Sequence, residues 1–151
     1  MLAISTPSLA TAEAAYPPGG AVMLPAKLEK SALGDLVFAS QFDRAIAEAD
    51  RQMKGRVTAE LMYLRAMACL GKAERSRAAD DYKDAGLDFM RVVVYFPSSS
   101  YASPSLLEVA FVHDRLGLSA KADELYAQAR QALKVEDHPR YVARCKQLSG
   151  A

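Results

Sequence analysis

The sequence predicts an all-α fold of antiparallel helical hairpins, and three observations support this. From Ala26 onward apolar residues recur every three or four positions, which is the period of an α-helix. Alanine becomes frequent and proline rare over the same stretch. Capping residues and glycines separate the periodic segments at short intervals, so neighbouring helices are expected to fold back on one another.

Composition indicates one ordinary domain. The chain has 151 residues, of which 51% are hydrophobic and 25% charged, enough apolar material for a core. A net charge of +1 gives no broad positive field, so nucleic acid is not an expected partner. No apolar run reaches the roughly 18 to 20 residues that cross a bilayer, and no integral membrane segment is therefore expected.

Residues 1–25 are predicted to form a flexible tail rich in Pro, Gly and Ala. They contain Pro17, Pro18 and Pro25, residues that interrupt helices. The helical domain is expected over 26–151, divided into hairpins at 26–57, 58–97 and 103–135, with a capping helix at 139–148.

The first two hairpins follow from local signals. The residues Phe42, Ala45, Ile46, Ala49 and Met53 share one helical face. In the second hairpin Thr58 is expected to cap a helix ending at Gly71, and a later helix carries Ala85 to Phe96. The β-branched run 92–96 alone is compatible with a strand, but its flanking period favours a helix.

The third hairpin has the clearest signals. Ser103 and Pro104 are expected to start a helix that ends at Gly117. A second helix follows Ser119, with its apolar face formed by Ala122, Leu125, Tyr126, Ala129, Ala132 and Leu133.

A repeat is visible when the helices are superimposed. Ala85, Phe89 and Val92 match Ala122, Tyr126 and Ala129 at a constant offset of 37 residues. This small, aromatic, small pattern resembles the second helix of a tetratricopeptide repeat, whose period is about 34 residues. The resemblance implies hairpins stacked as a short right-handed solenoid. In the second hairpin Gly71 and Ala85 are fourteen residues apart, which suggests longer helices or a helical protrusion.

A second resemblance is confined to one joint. The segment 96–102, which reads Phe-Pro-Ser-Ser-Ser-Tyr-Ala, is similar to the joints between repeats in the outer-membrane assembly lipoproteins and the periplasmic TolA-binding proteins. It implies a role in bacterial cell-envelope assembly as an alternative function.

Residues with catalytic or metal-binding chemistry are sparse. His113 and His138 lack a second ligand at helical spacing, and His113 is expected at a helix surface or hairpin interface. Cys69 and Cys145 lack CxxC spacing, and we expect them not to be bonded to each other. No phosphate-binding glycine loop is present in the sequence. We therefore expect no enzyme activity, no cofactor, no metal and no small-molecule substrate.

The charged run 72–83 mixes both signs, which favours a solvated helix face over a surface that docks a partner.

The functional hypothesis is a non-catalytic scaffold that binds a protein or peptide. In tetratricopeptide repeats the first helix of each hairpin lines a concave groove, and the resemblance places there Leu61, Arg65, Cys69, Leu107, Phe111, Asp114 and Arg115. Besides the envelope role, a regulatory repeat domain of a longer protein remains an alternative. The location is expected to be cytoplasmic if the chain begins at Met1, and periplasmic if it belongs to a longer secreted precursor.

Overall fold

The computed structural model describes residues 31–132, and that part of the chain consists of helices without a strand. Helix α1 comprises Ala32–Phe38, α2 Phe42–Met53, α3 Ala59–Ser76, α4 Ala79–Tyr95, α5 Ala102–Arg115 and α6 Ser119–Ala132. The prediction of an all-helical chain is confirmed for this range, including the β-branched run, because α4 continues through Tyr95. The tail 1–25, the end of the third hairpin at 133–135, the capping helix 139–148, His138 and Cys145 lie outside the described residues.

Helices α1 and α2 are short and joined by a tight turn. The Ser31 hydroxyl accepts a hydrogen bond from the Gly34 amide at 2.8 Å and caps α1. Ser40 has a φ of 62°, which reverses the chain between the two helices. The predicted face of α2 is confirmed, since Phe42, Ala45 and Ala49 are buried.

Helix α3 begins as predicted but extends further than expected. The Thr58 hydroxyl accepts a hydrogen bond from the Leu61 amide at 3.1 Å. The expectation that Gly71 ends this helix is wrong, because the helix continues to Ser76. A Cβ atom at Gly71 would lie 2.2 Å from Cζ of Phe42, so the glycine permits close contact between α2 and α3. The glycine at this position is therefore explained by the close packing of α2 on α3 and not by the end of a helix.

The charged run 72–83 forms the end of α3, a short turn and the start of α4. Arg77 closes α3 with a φ of 58°, and its amide donates to the carbonyl of Ala73 at 2.7 Å. Ser76 bonds Asp81 across the turn at 2.5 Å. The extra residues between Gly71 and Ala85 therefore lengthen both helices.

The joint between α4 and α5 is closed by hydrogen bonds and an aromatic pair. The Ser99 amide donates to the carbonyl of Phe96 at 3.0 Å. Tyr101 stacks on Tyr63 of α3, with ring centroids 5.2 Å apart. The predicted Ser103 cap is wrong, because α5 begins one residue earlier, at Ala102, and its cap residue Tyr101 makes no side-chain cap hydrogen bond. Pro104 lies in the first turn of α5. Amide groups there have no acceptor within the helix, so the missing N–H of proline costs no hydrogen bond.

Gly117 ends α5 as predicted. Its φ is 79°, and its amide donates to the carbonyl of Asp114 at 3.0 Å. The Leu118 amide donates to His113 at 2.9 Å, so the two bonds form a Schellman motif. His113 is partly buried, with Nδ1 2.8 Å from the carbonyl of Val109.

The helices pack against their neighbours in chain order, and α1 also contacts α3. One continuous cluster of buried apolar side chains extends from Leu33 in α1 to Ala129 in α6. The predicted face of α6 is confirmed over the described residues for Ala122, Leu125, Tyr126 and Ala129, whereas Ala132 is exposed.

Candidate functional site

The seven residues predicted to line one groove lie in two different environments. Leu107 and Phe111 are fully buried in the core, so the expectation that they face a groove is wrong. Helix α5 packs against both α4 and α6, and these neighbours cover faces that one helix considered alone would leave open. Neither side chain is available to a partner in this fold.

Arg115 is also inside the protein. Its Nε and Nη2 atoms donate to the two carboxylate oxygens of Glu74 at 2.9 and 2.8 Å, and its guanidinium lies 4.7 Å from the ring centroid of Phe111. The Arg115 side chain is only 2% exposed. The Tyr82 hydroxyl donates to the same carboxylate. The residue predicted to bind a peptide therefore joins α3, α4 and α5 internally.

Two further groove candidates, Asp114 and Leu61, are only partly exposed. Asp114 is partly buried beside this cluster, and burial raises the pKa of its carboxyl. Leu61 is partly buried and packs against the core. Neither residue lines the groove that contains Arg65 and Asp88.

Arg65 and Cys69 do line a groove, between α2, α3 and α4. One part of this groove has a volume of about 380 Å³ and includes Ile46 from α2 and Leu87 from α4. A second part of about 270 Å³ shares Arg65, Asp88 and Arg91 with the first. We call the combined surface the Arg65 groove; its lining residues are Ile46, Asp50, Met53, Met62, Arg65, Cys69, Lys72, Asp81, Asp84, Leu87, Asp88 and Arg91.

A buried carboxylate organises the centre of the Arg65 groove. Asp88 is 6% exposed and bonds Arg65 through one oxygen and Arg91, at 2.7 Å, through the other. Arg65 also donates from Nε to Asp50 of α2 at 2.7 Å. Two guanidinium groups offset the cost of burying one carboxylate, and the network holds the walls of the groove in a fixed arrangement.

The electrostatics of Arg65 agree with this network. Burial alone would lower the pKa of Arg65, but the hydrogen bond that Arg65 donates to Asp50 and the charge of Asp88 raise it. The guanidinium is therefore a permanent cation at the floor of the groove.

Cys69 does not supply a reactive thiolate. Burial, followed by the charge of Asp88, raises the pKa of Cys69 to about 12, and its sulphur lies 3.7 Å from the nearer Asp88 oxygen. The thiol is neutral at physiological pH, and a neutral thiol is a poor nucleophile and metal ligand. Within residues 31–132 no three His, Cys, Asp or Glu side chains are grouped to hold a metal ion.

Sequence reasoning missed Asp88 and Arg91. A signal was present, because Asp88 lies on the same helical face as Ala85 and Val92. A charge on an apolar face indicates a buried polar interaction. Asp88 also pairs with Arg65, which lies twenty-three residues earlier in the chain, and no local sequence pattern identifies this pair.

None of the helices between residues 31 and 132 is long and apolar enough to cross a membrane. Comparison of the chain with protein-family models, with curated proteins and with solved structures gave no match.

Proposed function

We propose that the protein is a non-catalytic helical scaffold of the tetratricopeptide-repeat type, and that it binds a protein or peptide partner in the Arg65 groove. The observation that carries this proposal is the groove itself, whose charged floor is held rigid by the Arg65, Asp88 and Arg91 network. A preorganised site loses little conformational entropy on binding. Its apolar residues Ile46 and Leu87 lie beside polar groups, a combination that is common in ligand-binding clefts.

The order of packing supports the hairpin arrangement. Each helix packs mainly on its immediate neighbours in the chain, which agrees with stacked hairpins. In the solenoid we propose, α1 with α2, α3 with α4, and α5 with α6 form the three hairpins. The aromatic residues at the matched repeat positions, Phe89 and Tyr126, are both buried.

No second function is proposed. The joint at 96–102 resembles those of the envelope families, but here Tyr101 is buried against Tyr63 and the serines close a turn. These contacts give the joint a structural role in this chain whatever its function.

The proposal is tested by altering the Arg65 groove at two exposed charges. Asp50 and Lys72 lie on α2 and α3, and their side chains are half exposed. Exposed ion pairs contribute at most about 1 kcal/mol, so the variant Asp50→Ala/Lys72→Ala should remain folded. It should capture the native partner at least about tenfold more weakly, which corresponds to about 1.4 kcal/mol. The measurement is quantitative affinity capture from the source cells, with circular dichroism melts in parallel.

The matched control removes another exposed ion pair. Lys121 and Glu124 on α6 lie 3.4 Å apart, away from the Arg65 groove. The variant Lys121→Ala/Glu124→Ala should capture the partner as the wild type does. If the groove variant and this control captured the partner equally well, the Arg65 groove would not be the binding site. If the wild-type protein captured no partner in a saturable manner, the scaffold function would be contradicted.

A further inference from the structure

The charged side chains that line the Arg65 groove are four carboxylates and three cations. The carboxylates belong to Asp50, Asp81, Asp84 and Asp88, and the cations to Arg65, Lys72 and Arg91. Each of the cations already faces a carboxylate. Both arginines pair with Asp88, and the Lys72 ammonium lies 3.2 Å from Asp43 of α2, which does not line the groove. The positive charge of the groove is therefore satisfied within the protein.

Two of the groove carboxylates face no cation. Asp84 is exposed on α4 and makes no hydrogen bond or ion pair within residues 31–132. Asp81, one turn earlier, accepts a hydrogen bond from the Ser76 hydroxyl at 2.5 Å but forms no ion pair in the same range. The pKa of Lys72 is raised first by its hydrogen bond to Asp43 and to a smaller extent by the charge of Asp81. One end of the groove thus has negative charge that its own cations leave open.

Apolar side chains lie next to this acidic end. Leu87 follows Asp84 by three residues, about 4.5 Å along the axis of α4, and both line the same part of the groove. Ile46 of α2 lines that part as well. Leu87 is 53% exposed although it is apolar. A carboxylate beside open apolar surface complements a segment that carries one cation and one apolar side chain.

We propose that the partner segment held in the Arg65 groove is basic, with a lysine or arginine that pairs with Asp84 and a neighbouring apolar side chain that packs on Leu87 and Ile46. This inference rests on the proposed function and adds the chemical class of the partner. The open negative charge of Asp84 lies where a bound segment passes, and the apolar contact lies one helical turn away on the same wall.

An acidic segment would not fit the same groove. A carboxylate on the partner would compete with Asp88 for Arg65 and Arg91, and Asp84 would repel it. Asp88 is buried, and a buried carboxylate whose cations are drawn away is strongly destabilising. A basic segment instead pairs with Asp84 and leaves the internal network of the groove intact. Charge complementarity therefore selects a basic partner.

The experiment selects binders from a displayed library of random peptides of about twelve residues, long enough to span the groove in an extended conformation. The wild-type protein should enrich lysine or arginine beside an apolar residue and deplete aspartate and glutamate. The variant Asp84→Lys should lose this basic preference. The matched control Asp123→Lys makes the same change of charge at an exposed position of α6 and should retain it.

The affinity of the most enriched peptide is then measured by fluorescence anisotropy. Asp84→Asn should weaken binding at least about threefold and Asp84→Lys at least about tenfold, because attraction is first removed and then becomes repulsion. Glutamine in place of the basic residue of the peptide should weaken binding to the wild type, and should have no further effect on binding to Asp84→Asn. Circular dichroism melts of both variants should match the wild type, since Asp84 is an exposed helix residue.

Two results would overturn the basic partner: a wild-type protein that enriches no basic residue, or a basic preference that persists in Asp84→Lys. A wild-type protein that enriches no peptide but self-associates would assign the groove to a second copy of the chain and would also overturn it. The groove variant Asp50→Ala/Lys72→Ala removes one charge of each sign, so it tests the site and not its net charge. If that variant lost the native partner while the wild type enriched no basic residue, the proposed function would stand and the basic partner would be rejected.

Discussion

Buried charged side chains are the least expected residues of this protein. Asp88 is stabilised by two arginines. Glu108 is fully buried, and this burial, together with the charge of nearby Glu74, raises the pKa of Glu108 well above its ordinary value of 4.5. A carboxyl in such surroundings is stabilised by holding its proton. Asp88 is therefore buried as a carboxylate paired with arginines, whereas Glu108 is buried as an acid that retains its proton.

Stability should depend on pH through Glu108. The folded protein holds this proton more tightly than the unfolded chain, so the contribution is complete below the ordinary value of 4.5 and is lost as pH rises towards the folded pKa. Glu108→Gln mimics the protonated acid and should gain stability relative to wild type as pH increases from about 5 to about 8. Urea unfolding at about pH 5 and pH 8 measures this.

Glu60 on α3 is exposed, and Glu60→Gln makes the same substitution there as the matched control. A Glu108→Gln variant whose advantage over wild type did not increase with pH would contradict a proton held by Glu108.

At the scale of the helix, small residues determine how closely neighbours approach. Gly71 lets the ring of Phe42 contact the backbone of α3, and Ala110 and Ala122 are fully buried in α5 and α6, which pack on each other. Gly86 has a similar role, since a Cβ atom there would lie 3.1 Å from Val112 of α5. The position of Ala122 on the apolar face of α6 was predicted from the sequence, whereas the function of Gly71 was not.

Enlarging a buried alanine should destabilise the packing of α5 on α6. Ala122→Leu is expected to reduce the free energy of unfolding by about 1 to 3 kcal/mol, because the added methylenes must displace well-packed neighbours. Ala120→Leu makes the same substitution at an exposed position of α6 and should change stability by less than about 0.5 kcal/mol. Chemical denaturation compares the two, and equal stabilities would mean that Ala122 is not at a close helix contact.

At the scale of the whole molecule, the described helices share one core. The apolar cluster is continuous from α1 to α6, and the bidentate pair between Glu74 and Arg115 joins α3 to α5 inside it. The buried ion pair connects two helices that are not consecutive in the chain, and the described helices should therefore unfold in one transition.

Removal of Arg115 should weaken this connection. Arg115→Met leaves the Glu74 carboxylate buried without its cation and should cost about 3 to 5 kcal/mol. Adding Glu74→Leu should restore part of the lost free energy of unfolding, because the unpaired buried carboxylate is then removed. The measurement is urea unfolding followed by far-ultraviolet and tyrosine circular dichroism. A loss below about 0.5 kcal/mol in Arg115→Met would place its side chain in solvent.

The sequence by itself determined the helical class, the cap at Thr58 and the end of α5 at Gly117, because these depend on interactions within a few residues of the same chain segment. Only the tertiary structure decided that Phe111 and Arg115 are interior and that Asp88 organises a groove. The physical reason is that burial and charge pairing depend on which neighbouring helix covers a side chain. Glu74, which pairs with Arg115, and Arg65, which pairs with Asp88, lie forty-one and twenty-three residues away from them, beyond the reach of any local period.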